Sequence, residues 1–183
     1  MQRKAEGVER ILIGREELAA RIGVLASEID GWYPERTPVM VGVLNGAALF
    51  MTDLMKCMES PVVVDYMAVS SYGASTQSSG IVQILKDLSL SIEGRDLLVI
   101  EDIVDSGLTL QYLLDVLQRR NPASIRVVAL LRKDKPNAIE VAVDLVGFDI
   151  PDEFVVGYGL DYKGLYRNLP YVGVLSSAAI DGT

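Results

Sequence analysis

Two periods of hydrophobic spacing alternate along this chain. In residues 15–30, Leu18, Ile22, Leu25 and Ile29 recur at helical spacing, and Gly31 with Pro34 ends the run. Residues 38–44 are a short, nearly unbroken apolar stretch, the mark of a strand covered on both faces. Asn45-Gly46-Ala47 reads as a turn and residues 48–58 as a second helix. Residues 61–69 and 81–85 read as strands, separated by the small, polar stretch 70–80. Residues 97–100 are again a buried strand, ending in Glu101 and Asp102. A turn carrying Asp105, Ser106 and Gly107 follows, then a helix with Leu110, Leu113, Leu114 and Leu117 at i, i+3, i+4, i+7. Asn121-Pro122 stops it. Further strands are predicted at 124–131, 144–147, 154–156 and 171–175, with 176–183 as a tail. Strands alternating with helices predict an α/β fold: a mainly parallel twisted sheet flanked by helices.

In such sheets ligands gather where strands end and helices begin. A Ser/Gly/Thr turn opening a helix offers unpaired N–H groups and a positive dipole end, which suit a phosphate. The carboxylates of Glu101 and Asp102 would repel a phosphate but suit ribose hydroxyls, or magnesium reached through water. Two readings of the turn stand: Asp105 or Ser106 caps the helix, or the turn cradles a sugar phosphate beside a diol and a metal. The acidic pair placed directly before the turn favours the second. Asn45-Gly46-Ala47 repeats the strand–turn–helix logic more weakly. Lys133 lies just past a strand's carboxyl end, within the charge run Arg132-Lys133-Asp134-Lys135; Arg132 and Lys135 read as surface charges.

The 183 residues fit a single domain, 1–183, with a sizeable core. No run approaches a membrane span, and residues 1–10 lack the apolar core of a signal peptide. The single Cys57 excludes an internal disulfide and fits a reducing, cytoplasmic compartment. A net charge of −8 without a basic cluster argues against a nucleic-acid surface. There is no histidine, so triads and His general bases are excluded, and acid–base work falls to carboxylates, lysines or tyrosines.

The stretch Val99-Ile100-Glu101-Asp102-Ile103-Val104-Asp105-Ser106-Gly107-Leu108-Thr109 resembles the signature with which type I phosphoribosyltransferases bind phosphoribosyl pyrophosphate (PRPP). The stretch from Val146 to Tyr162, with Phe148-Asp149-Ile150-Pro151-Asp152-Glu153-Phe154-Val155-Val156-Gly157-Tyr158-Gly159-Leu160-Asp161, resembles the hypoxanthine-guanine branch of that family. Matching pieces run from about residue 11 to 175. The resemblance implies the type I phosphoribosyltransferase fold, with a small hood built from the N-terminal strand and C-terminal segments. It implies purine salvage: transfer of the phosphoribosyl group from PRPP to hypoxanthine or guanine, giving IMP or GMP and pyrophosphate, with Mg2+ as cofactor.

The same resemblance assigns roles. Asp105, Ser106, Gly107, Leu108 and Thr109 hold the 5′-phosphate through main-chain N–H groups and two hydroxyls. Glu101 and Asp102 take the ribose hydroxyls and their metal shell. Asn45 and Gly46 form the pyrophosphate loop. Many relatives carry Lys or Arg in place of Asn45, so backbone contacts are implied there, together with a cis peptide between Leu44 and Asn45. Arg167 meets pyrophosphate. Ser71 and Tyr72 belong to a mobile loop, 70–80, that closes on the substrates. Lys133 meets the purine 6-oxygen, Phe154 stacks on the ring, and Val155 contacts the base through its backbone. Asp161 is a magnesium ligand near the base, and Asp105 is the general base. A homodimer or homotetramer is implied, with no membrane or nucleic-acid partner. Open beside this are transfer to another base (xanthine, adenine or orotate), a PRPP-sensing regulator of the same fold, and a phosphatase-like magnesium enzyme.

Overall fold

A computed structural model of the protein describes residues 4–71 and 82–181. The chain runs β1 (Val8–Ile13), α1 (Arg15–Asp30), β2 (Val39–Leu44), α2 (Ala48–Cys57), β3 (Val63–Ser71), β4 (Val82–Lys86), β5 (Asp96–Val104), α3 (Leu108–Gln118), β6 (Ser124–Lys133), β7 (Leu145–Ile150), β8 (Val155–Val156), β9 (Val172–Leu175) and α4 (Ser177–Asp181). The larger sheet has the order β4-β3-β2-β5-β6-β7. All its pairs are parallel except β3 with β4.

The apolar runs of β2 and β5 divide residue by residue between two cores. Met40, Leu98 and Ile100 pack with α1 and α2, while Val39, Val41, Leu97 and Val99 pack with α3. A strand buried on both faces must carry apolar side chains at consecutive positions, because the pleat sends neighbours to opposite sides.

This order places the topological switch between β2 and β5. From β2 the chain crosses through α2 to β3 on one side, and from β5 through α3 to β6 on the other. The crevice at the carboxyl ends of those two strands is therefore flanked by two helix N-termini. It is widened locally. Pairing of β2 with β5 ends at Gly42–Ile100, whereas β5 and β6 stay paired to Val104–Arg132. Above it sits the second sheet, β1-β9-β8, antiparallel throughout, which is the hood.

Three expectations change. Strand β5 does not end at Ile100; it continues to Val104, so Glu101 and Asp102 lie inside it. Strand β6 likewise reaches Lys133, because pairing with β7 persists through Lys133–Ile150. The expected tail folds instead into α4, whose Ala179 and Ile180 pack against the hood, with the Ile180 carbonyl accepting from the Tyr162 hydroxyl at 2.9 Å. Of the 70–80 stretch, Ser71 ends β3, and Tyr72 and the residues to 81 lie outside the described residues. Among the described residues no helix is long and apolar enough to cross a membrane.

Candidate active site

The acidic pair sits at the floor of the crevice. Glu101 is buried, and among the described residues its Oε2 has no hydrogen-bond partner. Burial, and then the neighbouring Asp102, raise its carboxyl well above the usual range. Asp102 accepts from the Ile103 N–H at 2.9 Å. Burial pushes its carboxyl up to about 6, although that hydrogen bond and the positive charge of Arg167 act in the other direction. Two carboxylates held this far from comfort invite a cation or hydroxyl donors.

The turn after β5 does not behave as a side-chain cap. The residue preceding α3 is Gly107, in the left-handed region at φ 81°, and among the described residues no side-chain hydrogen bond caps the helix there. The N–H groups of the first helical turn thus have no capping oxygen to accept them. A β-carbon on Gly107 would stand 2.7 Å from the Ile139 carbonyl oxygen, so both conformation and space require glycine. Ile139 also donates its N–H to the Ser106 carbonyl at 2.9 Å. The loop after β6 therefore braces the turn. Residues Glu101 to Gly107, with Thr109 and Leu110, line a cavity of about 220 Å³.

The Asn45-Gly46 loop follows β2 on the other side of the crevice, and the Leu44–Asn45 peptide is cis. Gly46 lies against the Asp102 carboxylate, and its carbonyl lies against Gly159. Arg167 and Asp161 belong to the same junction. Arg167 donates through Nη1 to the Gly159 carbonyl at 2.6 Å, and its Nη2 is 2.6 Å from Asp161 Oδ1. The other Asp161 oxygen accepts from the Gly164 N–H at 2.8 Å.

The remaining wall is built from Phe154, Val155 and Lys133. Phe154 is 43% exposed, held edge-on to Tyr162 with ring centroids 5.4 Å apart. A core aromatic would be covered, whereas this one keeps a surface available for stacking. Val155 is buried and paired with Val174, which fixes the backbone beside it. Lys133 Nζ stands 3.6 Å from Asp105 Oδ2 and 3.5 Å from Asp152 Oδ1.

Lys135 is not the isolated surface charge the sequence suggests. Its Nζ is 2.5 Å from Asp105 Oδ1 and 3.2 Å from Asp152 Oδ1. Hydrogen bonding to Asp105 raises its ammonium above the usual range, against an opposing effect of burial. The signal was present: side chains two apart on an extended segment share a face. Arg132, on the alternate position, pairs outward with Asp149 at 2.7 Å.

Glu101, Asp102 and Asp161 do not form a ready-made metal cage; among the described residues no three acidic, His or Cys side chains gather for one. Magnesium keeps several waters and binds through one or two carboxylates plus phosphate oxygens. The orphaned Glu101 oxygen and the raised Asp102 fit a nearby cation. A larger cavity of about 500 Å³, lined by Arg15, Asp53, Lys56 and Tyr158 among others, holds none of the catalytic, binding or metal residues expected from the sequence.

The chain is similar to known proteins over most of its length. A family model described as the phosphoribosyl transferase domain matches residues 8–163. The chain is 49% identical over 174 residues to the hypoxanthine-guanine phosphoribosyltransferase of Bacillus subtilis, covering 95% of this chain and 97% of that one. It is similar to the crystal structure of a hypoxanthine phosphoribosyltransferase from Staphylococcus aureus, with a TM-score of 0.88 and 44% identity, over 93% of this chain and 92% of that one. A solved hypoxanthine-guanine-xanthine phosphoribosyltransferase is 40% identical with a TM-score of 0.84, over 94% and 100% of the two chains.

Proposed function

The chain belongs to the phosphoribosyl transferase family, in its hypoxanthine-guanine branch, and from that premise we propose how its residues share the reaction. It is a purine salvage enzyme. The phosphoribosyl group passes from PRPP to a nitrogen of hypoxanthine or guanine, and pyrophosphate leaves. The bond from the anomeric carbon to pyrophosphate breaks as the bond to the purine nitrogen forms, with oxocarbenium character between.

The 5′-phosphate lies on the N–H groups of Asp105 to Thr109, helped by the Ser106 and Thr109 hydroxyls. Glu101 and Asp102 orient the ribose hydroxyls. The backbone of Asn45 and Gly46, with Arg167, receives the departing pyrophosphate. Its approach requires Arg167 to exchange the Asp161 carboxylate for a phosphate oxygen. Asp161, Glu101 and Asp102 would hold magnesium, directly or through water, and the ion when bound offsets the charge of the leaving group. Phe154 stacks on the purine, Val155 contacts its edge through the backbone, and Lys133 donates to the 6-oxygen. Asp105 takes the proton from the imidazole edge. Ser71 and Tyr72 complete the substrate contacts. Assembly as a homodimer or homotetramer is part of the same reading, and light scattering checks it.

The observation that carries this reading is the convergence at one switch point of a helix-opening turn, a buried acidic pair and a lysine at a strand end. Incubation with PRPP, magnesium and hypoxanthine tests it. IMP and pyrophosphate in equal amounts are expected; absence of nucleotide overturns it.

A further inference from the structure

Four charged side chains meet at the base wall: Asp105 from the phosphate turn, Lys133 from the end of β6, Lys135 two residues on, and Asp152 from the segment before Phe154. The two signs balance, but the distances are unequal. Lys135 makes the short contacts, 2.5 Å to Asp105 and 3.2 Å to Asp152. Lys133, whose side chain is 11% exposed, stands at 3.6 and 3.5 Å from the same carboxylates, too far for a strong hydrogen bond to either. The more enclosed ammonium is thus the less satisfied one. Between the two lysines, the Asp134 N–H donates to the Ile150 carbonyl at 2.9 Å.

We infer that Lys135 is a positioning residue that satisfies Asp105 and Asp152 and thereby keeps both carboxylates off Lys133, leaving the Lys133 ammonium for an acceptor on the incoming 6-oxopurine. This rests on the base-site roles proposed above for Lys133 and Asp105. Without Lys135, two carboxylates share one enclosed ammonium, and the pair tightens because a charge inside a protein is costly to leave without a partner. The purine 6-oxygen, a neutral acceptor, must then displace a carboxylate to reach Lys133. PRPP recognition is spared, because the turn holds phosphate through its main-chain N–H groups and Lys135 contacts only the Asp105 side chain. When the base arrives, Asp105 turns to its imidazole edge, and Lys135 retains Asp152 as partner.

The test is a charge series at position 135, measured on the full-length enzyme with magnesium present. Lys135→Ala and Lys135→Gln are expected to raise the KM for hypoxanthine about 10- to 100-fold, the size of one displaced buried hydrogen bond. The KM for PRPP and the kcat at saturating base are expected to stay within about threefold, a split that general loosening of the fold does not produce. Lys135→Arg, which keeps the charge, is expected to restore the hypoxanthine KM to within about fivefold of the parent. Lys133→Ala is measured alongside. If Lys133→Ala weakens hypoxanthine use and neither neutral variant at 135 does, the inference is overturned and the base site stands. If Lys135→Arg is as impaired as Lys135→Ala, the charge is not the cause and the inference is again overturned. If hypoxanthine use is indifferent to both lysines, the base-site reading falls with it.

Discussion

The α-carbon of Gly46 is pressed against the carboxylate of Asp102, so that a β-carbon on Gly46 would overlap Oδ2 and Cγ. The Asn45-Gly46 loop and the acidic strand are thus in direct contact, and the Gly46 carbonyl also lies close against Gly159. A methyl at Gly46 must push Asp102 aside or lift the loop. Either movement misaligns the leaving group relative to the ribose, and misplacement by about 1 Å costs on the order of 10²-fold in rate. Gly46→Ala is expected to lower kcat/KM for PRPP by about that factor while circular dichroism shows a folded protein. Normal PRPP kinetics would remove Gly46 from the site.

Asp105 is the proposed general base, and in the ligand-free structure its carboxylate is paired chiefly with Lys135. Asp105→Asn keeps the shape and removes the basicity. The expected loss in kcat is about 10²–10⁴-fold, the range for general acid–base catalysis. The KM for PRPP should move much less, since its phosphate is held by N–H groups and hydroxyls. Near-normal turnover would reassign the base.

The elements of the core sheet were legible in the sequence because burial on both faces leaves an unmistakable apolar run, as in residues 38–44 and 97–100. Their ends were not. Glu101 and Asp102 are polar yet remain in β5, since pairing with β6 continues after β2 has departed. That is a property of neighbouring strands, invisible to local spacing. A role for Phe154 in stacking came only through resemblance; by composition an aromatic belongs in the core, whereas Phe154 is exposed. Lys135 was passed over because a charge run ordinarily faces water. The helix of 177–181 escaped notice because five residues carry too little periodicity.

The acidic floor gives a pH dependence of known sign. The Asp102 carboxyl is pushed up to about 6 in the folded protein, against about 3.9 in an unfolded chain. Between those values the folded state retains a proton that the unfolded chain has released, so the ligand-free protein loses stability as pH rises through that window. Asp102→Asn removes the Asp102 share of this loss, leaving that of the buried Glu101, while keeping an oxygen for the Ile103 N–H. At pH 8 its ligand-free Tm is expected to exceed the parent's by about 2–8 °C, corresponding to about 1–3 kcal/mol, with a smaller gap at pH 4. Activity should fall. Calorimetry showing the same difference at both pH values would contradict the assignment.

Magnesium is expected to be required for turnover, because the buried carboxylates of Glu101 and Asp102 and the phosphate oxygens of PRPP together offer ligands to one cation. Excess chelator should abolish nucleotide formation, and added magnesium should restore it. Full activity in chelator would rule the metal out.

The central claim is that the wall formed by Lys133, Phe154 and Asp105 takes a 6-oxopurine onto PRPP. An ammonium only donates, so it pairs with a 6-oxygen and confronts the amino group of adenine with another donor. An unpaired buried donor costs about 1–3 kcal/mol, and opposed donors cost more. At position 2, backbone carbonyls near Val155 would accept from the amino group of guanine and repel the oxygen of xanthine, while hypoxanthine asks nothing there. The direct measurement is kcat/KM for each base at saturating PRPP and magnesium, with Lys133→Ala beside the parent. The account predicts use of hypoxanthine and guanine, weak use of xanthine, adenine lower by about 10²-fold or more, and loss of most 6-oxopurine activity in Lys133→Ala with PRPP binding retained. Comparable use of adenine and hypoxanthine by the parent enzyme would contradict it.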